Sequence, residues 1–216
     1  MKTELYPTII TPFTPDNQVD YVSLGRLIDH LFRHHCDGLF AVCQSSEMFF
    51  LSDQEKLALA SFCIDRCRQA GKKCVVSGHT HDDLNDQLVW LKALEKLEPD
   101  AIILVTNRLA RQDEGDAILI DNLRFIISQL NPTTRLGFYE CPHPYKRLLT
   151  AEVIDYLLLT GRFDFIKDTS CQIGMIRARL RQIAGSTIRL YNANAATLLD
   201  SLLAGQPVIP GSCSIS

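Results

Sequence analysis

The chain has 216 residues, 46% of them hydrophobic and 22% charged, with 11 glycines and 9 prolines. Those proportions belong to a folded globular protein and exclude collagen, low-complexity disorder and a coiled coil. Lysine plus arginine totals 22 against 25 for aspartate plus glutamate, a net charge of -3, which argues against nucleic acid as a partner because a duplex selects a basic face.

Taken in order, the chain alternates short apolar runs with longer amphipathic ones. The first strand-like run is 6–10, followed by a helical stripe at Leu24, Leu27, Ile28, Leu31 and Phe32, the i, i+3, i+4, i+7, i+8 pattern of a helix with one buried face. A second strand is expected over 38–42. Ser52-Asp53-Gln54-Glu55 then forms a capping box opening a helix with Leu57, Ala60, Ile64 and Cys67 on its apolar side. Strands at 74–77, 101–105 and 135–139 come next, with a helical stripe at Leu119, Leu123, Ile126, Ile127 and Leu130 before the last of them. Strands at 163–167, 188–191 and 208–209 complete the series, and Gly161 and Gly185 stand where left-handed helix caps want glycine. Near-continuous apolar strands separated by helices mean parallel strands covered on their faces, with right-handed crossovers.

Eight such strands favour a (β/α)8 TIM-type barrel occupying 1–216 as a single domain. The alternative is an open sheet in which the first and last strands fail to pair. No GxGxxG or GxxxxGK[ST] is present to support a nucleotide-binding sheet. The sequence stops just past the eighth strand, so the barrel is expected to be truncated there, without its last helix or a C-terminal helical extension, and with exposed apolar surface near that strand. No apolar run approaches the ~20 residues of a membrane span, and the first seven residues carry no secretory segment. A cytosolic protein with no membrane partner is expected. The eight cysteines are read as buried reduced thiols, and His79-Thr80-His81 as a strand-to-helix turn, so no metal is expected.

In a barrel, chemistry collects at the C-terminal strand ends. The most unusual residue there is Lys167. Strand alternation puts Phe163, Phe165 and Lys167 on one face, and Gly137 and Tyr139 inward on the strand before. A lysine over an apolar floor loses part of its affinity for the proton and can add to a ketone as a Schiff base, while a neighbouring tyrosine can pass protons. The competing interpretation is that Lys167 snorkels out of the strand end and Tyr139 caps the core.

Longer motifs bear on that choice. The chain resembles the dihydrodipicolinate synthase / N-acetylneuraminate lyase family of pyruvate-utilising class I aldolases, from Tyr6 to about Ile209. Thr8-Ile9-Ile10-Thr11-Pro12-Phe13 is similar to the family's opening strand, and Cys43-Gln44-Ser45-Ser46-Glu47 stands at its Gly-Thr-Thr-Gly-Glu loop. Tyr139-Glu140-Cys141-Pro142 resembles its Tyr-Asn-x-Pro motif, and Ile166-Lys167-Asp168-Thr169 its Schiff-base motif, 28 residues on from tyrosine to lysine.

The resemblance implies Lys167 as the Schiff-base lysine and Tyr139 as the proton relay. It also implies Ser45 and Ser46 at the keto acid's carboxylate and Ile209 lining the pocket. Glu47 is expected to support the loop from behind, since a carboxylate in the pocket would repel an anionic substrate. The implied activity is an aldolase or lyase acting on pyruvate or another 2-keto acid with an aldehyde or sugar-acid partner, without cofactor, in a homo-oligomer. Gln44 in place of a hydroxyl residue, the absence of the tyrosine expected after Val-Thr-Pro, where Val105-Thr106 runs into Asn107-Arg108-Leu109, and Pro144 where an arginine is expected argue against aspartate semialdehyde as acceptor. The alternative is a truncated, catalytically impaired member that at most binds a small keto acid.

Overall fold

In the computed structural model, which describes residues 4–204 and the backbone of 208–209, six parallel strands form one sheet. Their order is β2 (Gly38–Ala41), β3 (Lys73–Val76), β4 (Ala101–Val105), β5 (Leu136–Tyr139), β6 (Phe163–Asp168) and β7 (Arg189–Asn192). β1 (Glu4–Leu5) and β8 (Val208–Ile209) pair in parallel, Glu4 opposite Val208 and Leu5 opposite Ile209. A parallel bridge from Thr8 to Phe40 joins the stretch after β1 to β2, and β8 lies against β7. The ring is therefore closed as a (β/α)8 barrel, and the open-sheet alternative falls.

The helices follow their strands: α1 (Tyr21–Arg33), α2 (Asp53–Gln69), α3 (Leu84–Glu95), α4 (Thr106–Leu109), α5 (Asp116–Gln129), α6 (Ala151–Thr160), α7 (Ile173–Gln182) and α8 (Leu198–Leu203). Side-chain caps start several of them where the sequence offers one. Asp20 accepts from the Ser23 N–H, Thr150 from the Val153 N–H, and Ser52 with Glu55 closes the capping box that opens α2. Gly161 ends α6 with φ 62°, whereas α7 is capped by Ile183, two residues before Gly185. Leu24 and Ile28 of α1, and Leu119, Leu123 and Ile126 of α5, are buried against the barrel. Beside β7, α7 leaves an apolar groove lined by Leu180, Ile183, Ile188 and Leu190, and Leu199 and Leu203 of α8 stand exposed.

β1 departs from its expected span of 6–10. Pro7 has no N–H to give a ladder, and among the described residues regular pairing with β8 covers Glu4 and Leu5. Beyond it the chain turns its bonds to β2: the Ile9 N–H donates to the Phe40 carbonyl at 3.0 Å and the Phe40 N–H to the Pro7 carbonyl at 2.9 Å. An aromatic group then packs the barrel interior. Phe165 stacks on Tyr191 with centroids 3.9 Å apart, and Tyr6 meets both edge-on. Room for this group comes from Gly137, where an added Cβ would lie 2.7 Å from the Phe165 carbonyl oxygen and 2.6 Å from the Ile103 side chain.

His79, at the end of β3, is fully buried. Its Nδ1 accepts the Val105 N–H at 2.9 Å and its Nε2 faces the Gln87 Oε1 at 2.9 Å, so the ring is neutral with its proton on Nε2. Burial lowers its pKa to about 3. Between that value and about 6.5 the unfolded chain binds a proton that the folded chain refuses, so stability rises with pH across this window and levels off above it. Urea unfolding should show native stability falling by up to about 1.4 kcal/mol per pH unit below pH 6.5 from this group. His79→Asn, which keeps an acceptor for the Val105 N–H, should flatten that slope.

Candidate active site

The β5–β6 register sets Tyr139 directly opposite Lys167, and paired residues of parallel strands project to the same face. Both point into the barrel at its C-terminal mouth. Lys167 is 2% exposed and Tyr139 5%. The Lys167 Nζ lies 4.4 Å from the centre of the Tyr139 ring and 5.0 Å from that of Phe40. Phe40 is thus the floor under the amine, held edge-on to Tyr139 at 5.7 Å. Among the described residues, Lys167 has no carboxylate partner.

Phe163 does not share the face of Lys167, contrary to the alternation expected. The β5–β6 register shifts between Leu136 and Gly137, which pair with Phe163 and Phe165. Asp164 is the extra residue of a bulge, and a bulge reverses the alternation beyond it. Phe163 therefore lies with Phe138, their rings stacked at 5.5 Å and 6°, on the face opposite to Tyr139 and Lys167. Phe165 remains inward.

Burial pushes the Lys167 amine below the usual lysine range, while the nearby Cys43 and Cys141 sulfurs pull the other way. The two ring faces also favour a cation, but by about 0.5–2 kcal/mol, less than the several kcal/mol lost when an ammonium leaves water. The balance is thereby moved towards the neutral, nucleophilic amine. Burial pushes the Tyr139 phenol up, so it stands protonated as a donor. Its hydroxyl donates to the Gln44 Oε1 at 3.3 Å, and the Cys141 thiol donates to the same oxygen at 3.5 Å.

Gln44, Ser45 and Ser46 form a 3₁₀ turn at the end of β2. Ser45 is exposed. Ser46 is fully buried; its hydroxyl donates to the Ile9 carbonyl and accepts the Cys43 N–H at 3.2 Å, and its carbonyl accepts the Thr11 hydroxyl at 2.8 Å. Ser46 thereby ties the loop to the strand leading out of β1, the support expected of Glu47. Glu47 itself is exposed, with φ 61°. Ile209 contributes its backbone to β8, and its side chain lies outside the described residues. Arg147 is turned towards α5, with Asp116 at 2.9 Å, whereas Lys146 reaches the end of β6 and donates to the Thr169 carbonyl at 2.8 Å.

Behind the reacting face lies a group that the sequence reading missed. Glu140 and Asp168 follow Tyr139 and Lys167 in the chain, so they project to the opposite face, and there both meet Arg179 of α7. All three are buried. Burial raises the Glu140 carboxyl while Arg179 draws it back down. The signal was present in the sequence: an acidic residue directly after each motif residue, and an arginine on the inner side of the next helix.

Residues 1–214 match the model of the dihydrodipicolinate synthetase family. The chain belongs to that family. The 4-hydroxy-tetrahydrodipicolinate synthase of Caldicellulosiruptor bescii is 28% identical over 145 residues, which are 65% of this chain and 48% of that protein. The synthase of the same name from Leuconostoc citreum is 26% identical over 201 residues, 93% of this chain and 67% of that one. This family member thus spans about half the length of the first relative and about two thirds of the second. In fold it is similar to YagE, a prophage protein of the dihydrodipicolinic acid synthase family from E. coli K12 solved in complex with pyruvate. The TM-score is 0.84 at 21% identity, over 96% of this chain and 69% of that one.

The two loop serines should respond differently to substitution. Ser46→Ala leaves the Ile9 carbonyl and the Cys43 N–H without their partner and should destabilise the fold by about 1–3 kcal/mol. Ser45→Ala should stay within about 0.5 kcal/mol of the native protein. Urea denaturation of the two variants measures both.

Proposed function

We propose that this chain is a class I aldolase or lyase in which Lys167 forms a Schiff base with pyruvate or a related 2-keto acid. The observation that carries this reading is the buried amine of Lys167, placed over two aromatic faces and opposite Tyr139, with no carboxylate partner among the described residues to hold it as an ammonium. The neutral amine adds to the keto carbon, giving a carbinolamine. Tyr139, a protonated phenol, donates a proton to the departing hydroxyl, which leaves as water and forms the imine. Loss of a proton from the adjacent methyl carbon gives an enamine that attacks an aldehyde; the reverse sequence cleaves the same bond.

The keto acid's carboxylate is assigned to the turn at the end of β2. The first N–H groups of a 3₁₀ turn lack intrahelical partners, and the exposed Ser45 adds a hydroxyl. The role of Ser46 is to hold that turn in place. An aldehyde or sugar-derived acceptor fits better than aspartate semialdehyde, because the arginine expected after Tyr139 is replaced by Pro144 and Arg147 is engaged with Asp116.

Borohydride reduction in the presence of pyruvate should add mass at Lys167 and leave Lys167→Arg unmodified; absence of an adduct in the native protein overturns the proposal. Because burial favours the neutral amine, the rate of adduct formation should rise with pH and level off below about 10.4, the value of an ordinary lysine. Tyr139→Phe removes one hydroxyl and should slow turnover by about 10²–10⁴-fold in a steady-state assay against a panel of aldehydes and sugar acids.

Gln44 favours a second reading, a keto-acid binder without turnover. Its amide oxygen accepts a hydrogen bond from the Tyr139 hydroxyl and, unlike a hydroxyl there, carries no proton to pass on. On that reading pyruvate still traps at Lys167, no acceptor is consumed, and Tyr139→Phe leaves the trapping rate unchanged.

A further inference from the structure

We infer that Arg179 is the positioning residue of this site, a clamp on the helix-facing side that holds the ends of β5 and β6 in the register setting the Lys167 amine against Tyr139. The inference rests on reading those two as the reacting pair, and it concerns what fixes their geometry. Alternation along each strand sends one residue inward and the next outward. The residues immediately after Tyr139 and Lys167 are therefore the nearest handles on the two side chains that can be gripped from outside the barrel.

Arg179 grips both. Its Nη2 donates to the Glu140 Oε1 at 2.6 Å and its Nη1 to Oε2 at 3.2 Å, while Nη1 also donates to the Asp168 Oδ2. Nη2 further donates to the Leu149 carbonyl at 2.6 Å, tying in the segment that leads to α6. Glu140 carries the connection across the strand ends: its Oε2 accepts the Thr169 N–H at 2.9 Å, its carbonyl the Thr169 hydroxyl at 2.6 Å, and its Oε1 the Leu149 N–H at 2.7 Å. Pairing of β5 with β6 ends at Tyr139 and Lys167. One step further on, the Glu140 N–H still reaches the Lys167 carbonyl at 3.3 Å, and beyond that side chains take over.

Directional geometry distinguishes a clamp from filler. Buried ion pairs are commonly no more stabilising than well-packed apolar residues of similar volume, so stability alone does not account for two carboxylates and a guanidinium enclosed at this point. A planar guanidinium can serve both carboxylates in one fixed arrangement; an ammonium, a point charge on a flexible stem, cannot reproduce the fork. A misplacement of about 1 Å in reacting groups can cost on the order of 10²-fold in rate.

The test is Arg179→Lys, which keeps the charge and loses the fork, with Glu140→Gln as a second variant should the first fail to fold. Acetic anhydride labelling of Lys167, followed by mass spectrometry across pH, reads the environment of the amine directly. Buried Lys56 on α2 serves as the internal control. The groups around the Lys167 amine, Tyr139, Cys43 and Cys141, stay unchanged in both variants. With the strand ends released, water reaches the amine, and the pH midpoint of Lys167 labelling should move up by about one unit while that of Lys56 stays put. Borohydride trapping with pyruvate should slow by about 10–100-fold.

A folded variant whose Lys167 labels with the native midpoint overturns the clamp, whatever happens to the trapping rate. So does a shift shared equally by Lys56, which reports general loosening. Failure of the native protein to trap pyruvate defeats the aldolase reading alone, because the labelling midpoint decides the clamp without pyruvate.

Discussion

Parallel pairing of β5 with β6, residue against residue at Tyr139 and Lys167, is the constraint on which the site depends. Because strand side chains alternate, one register determines two constellations at once. Inward it aligns amine, phenol and the Phe40 ring; outward it aligns Glu140 and Asp168 with Arg179. A slip of one residue on either strand would exchange the faces, exposing the lysine to the helix layer and driving a carboxylate into the pocket. The bulge at Asp164 lies below this level, so the alternation that matters is restored before Phe165. The Arg135–Asp164 ion pair occupies the bulge itself.

Closure of the barrel is a separate problem, solved at the opposite end of the strands. Among the described residues, β1 pairs with β8 at Glu4 and Leu5, and the stretch after it meets β2 through the Thr8–Phe40 bridge and the Ile9–Phe40 and Phe40–Pro7 backbone hydrogen bonds. The aromatic group adds to this seam: Tyr6 reaches Phe165 and Tyr191 across the interior, and the Tyr191 hydroxyl donates to the Glu4 Oε2 at 3.2 Å. Aromatic pairs add about 0.5–1.5 kcal/mol beyond the area they bury, so each such contact is comparable to a backbone hydrogen bond, worth about 1 kcal/mol net.

Much of this was legible in the sequence, for reasons that differ by element. β2, β4 and β5 show as continuous apolar runs and β3, β6 and β7 as largely apolar ones because both faces are buried, and α2 announces its start through Ser52 and Glu55. Tyr139 and Lys167 could be placed on one face because the count along each strand from motif to motif is short. Three things were out of reach. Phe163 was assigned to the wrong face because a bulge leaves no local composition signal. Ser46 gave no sign that its hydroxyl is committed to Ile9, a partner 37 residues away. Gln44 stood out as a departure from the family loop, yet nothing local indicated that its oxygen would gather the Tyr139 and Cys141 donors.

The chain offers its own comparison for what sets Lys167 apart. Lys56 is equally buried, at 2% exposure, and also lies over a ring, 4.8 Å from that of Trp90. Its ammonium, however, pairs with Asp53 at 2.7 Å and donates to the Thr80 hydroxyl at 2.9 Å, so its charge is compensated where it sits. Such an amine is spent on structure: neutralising it would strand the aspartate and the hydroxyl. Lys167 has the rings without the carboxylate. With no carboxylate partner among the described residues, burial moves the Lys167 amine towards its neutral form, on the side of an apolar ring and a phenol. Burial alone therefore does not distinguish the two lysines; the carboxylate beside Lys56 does.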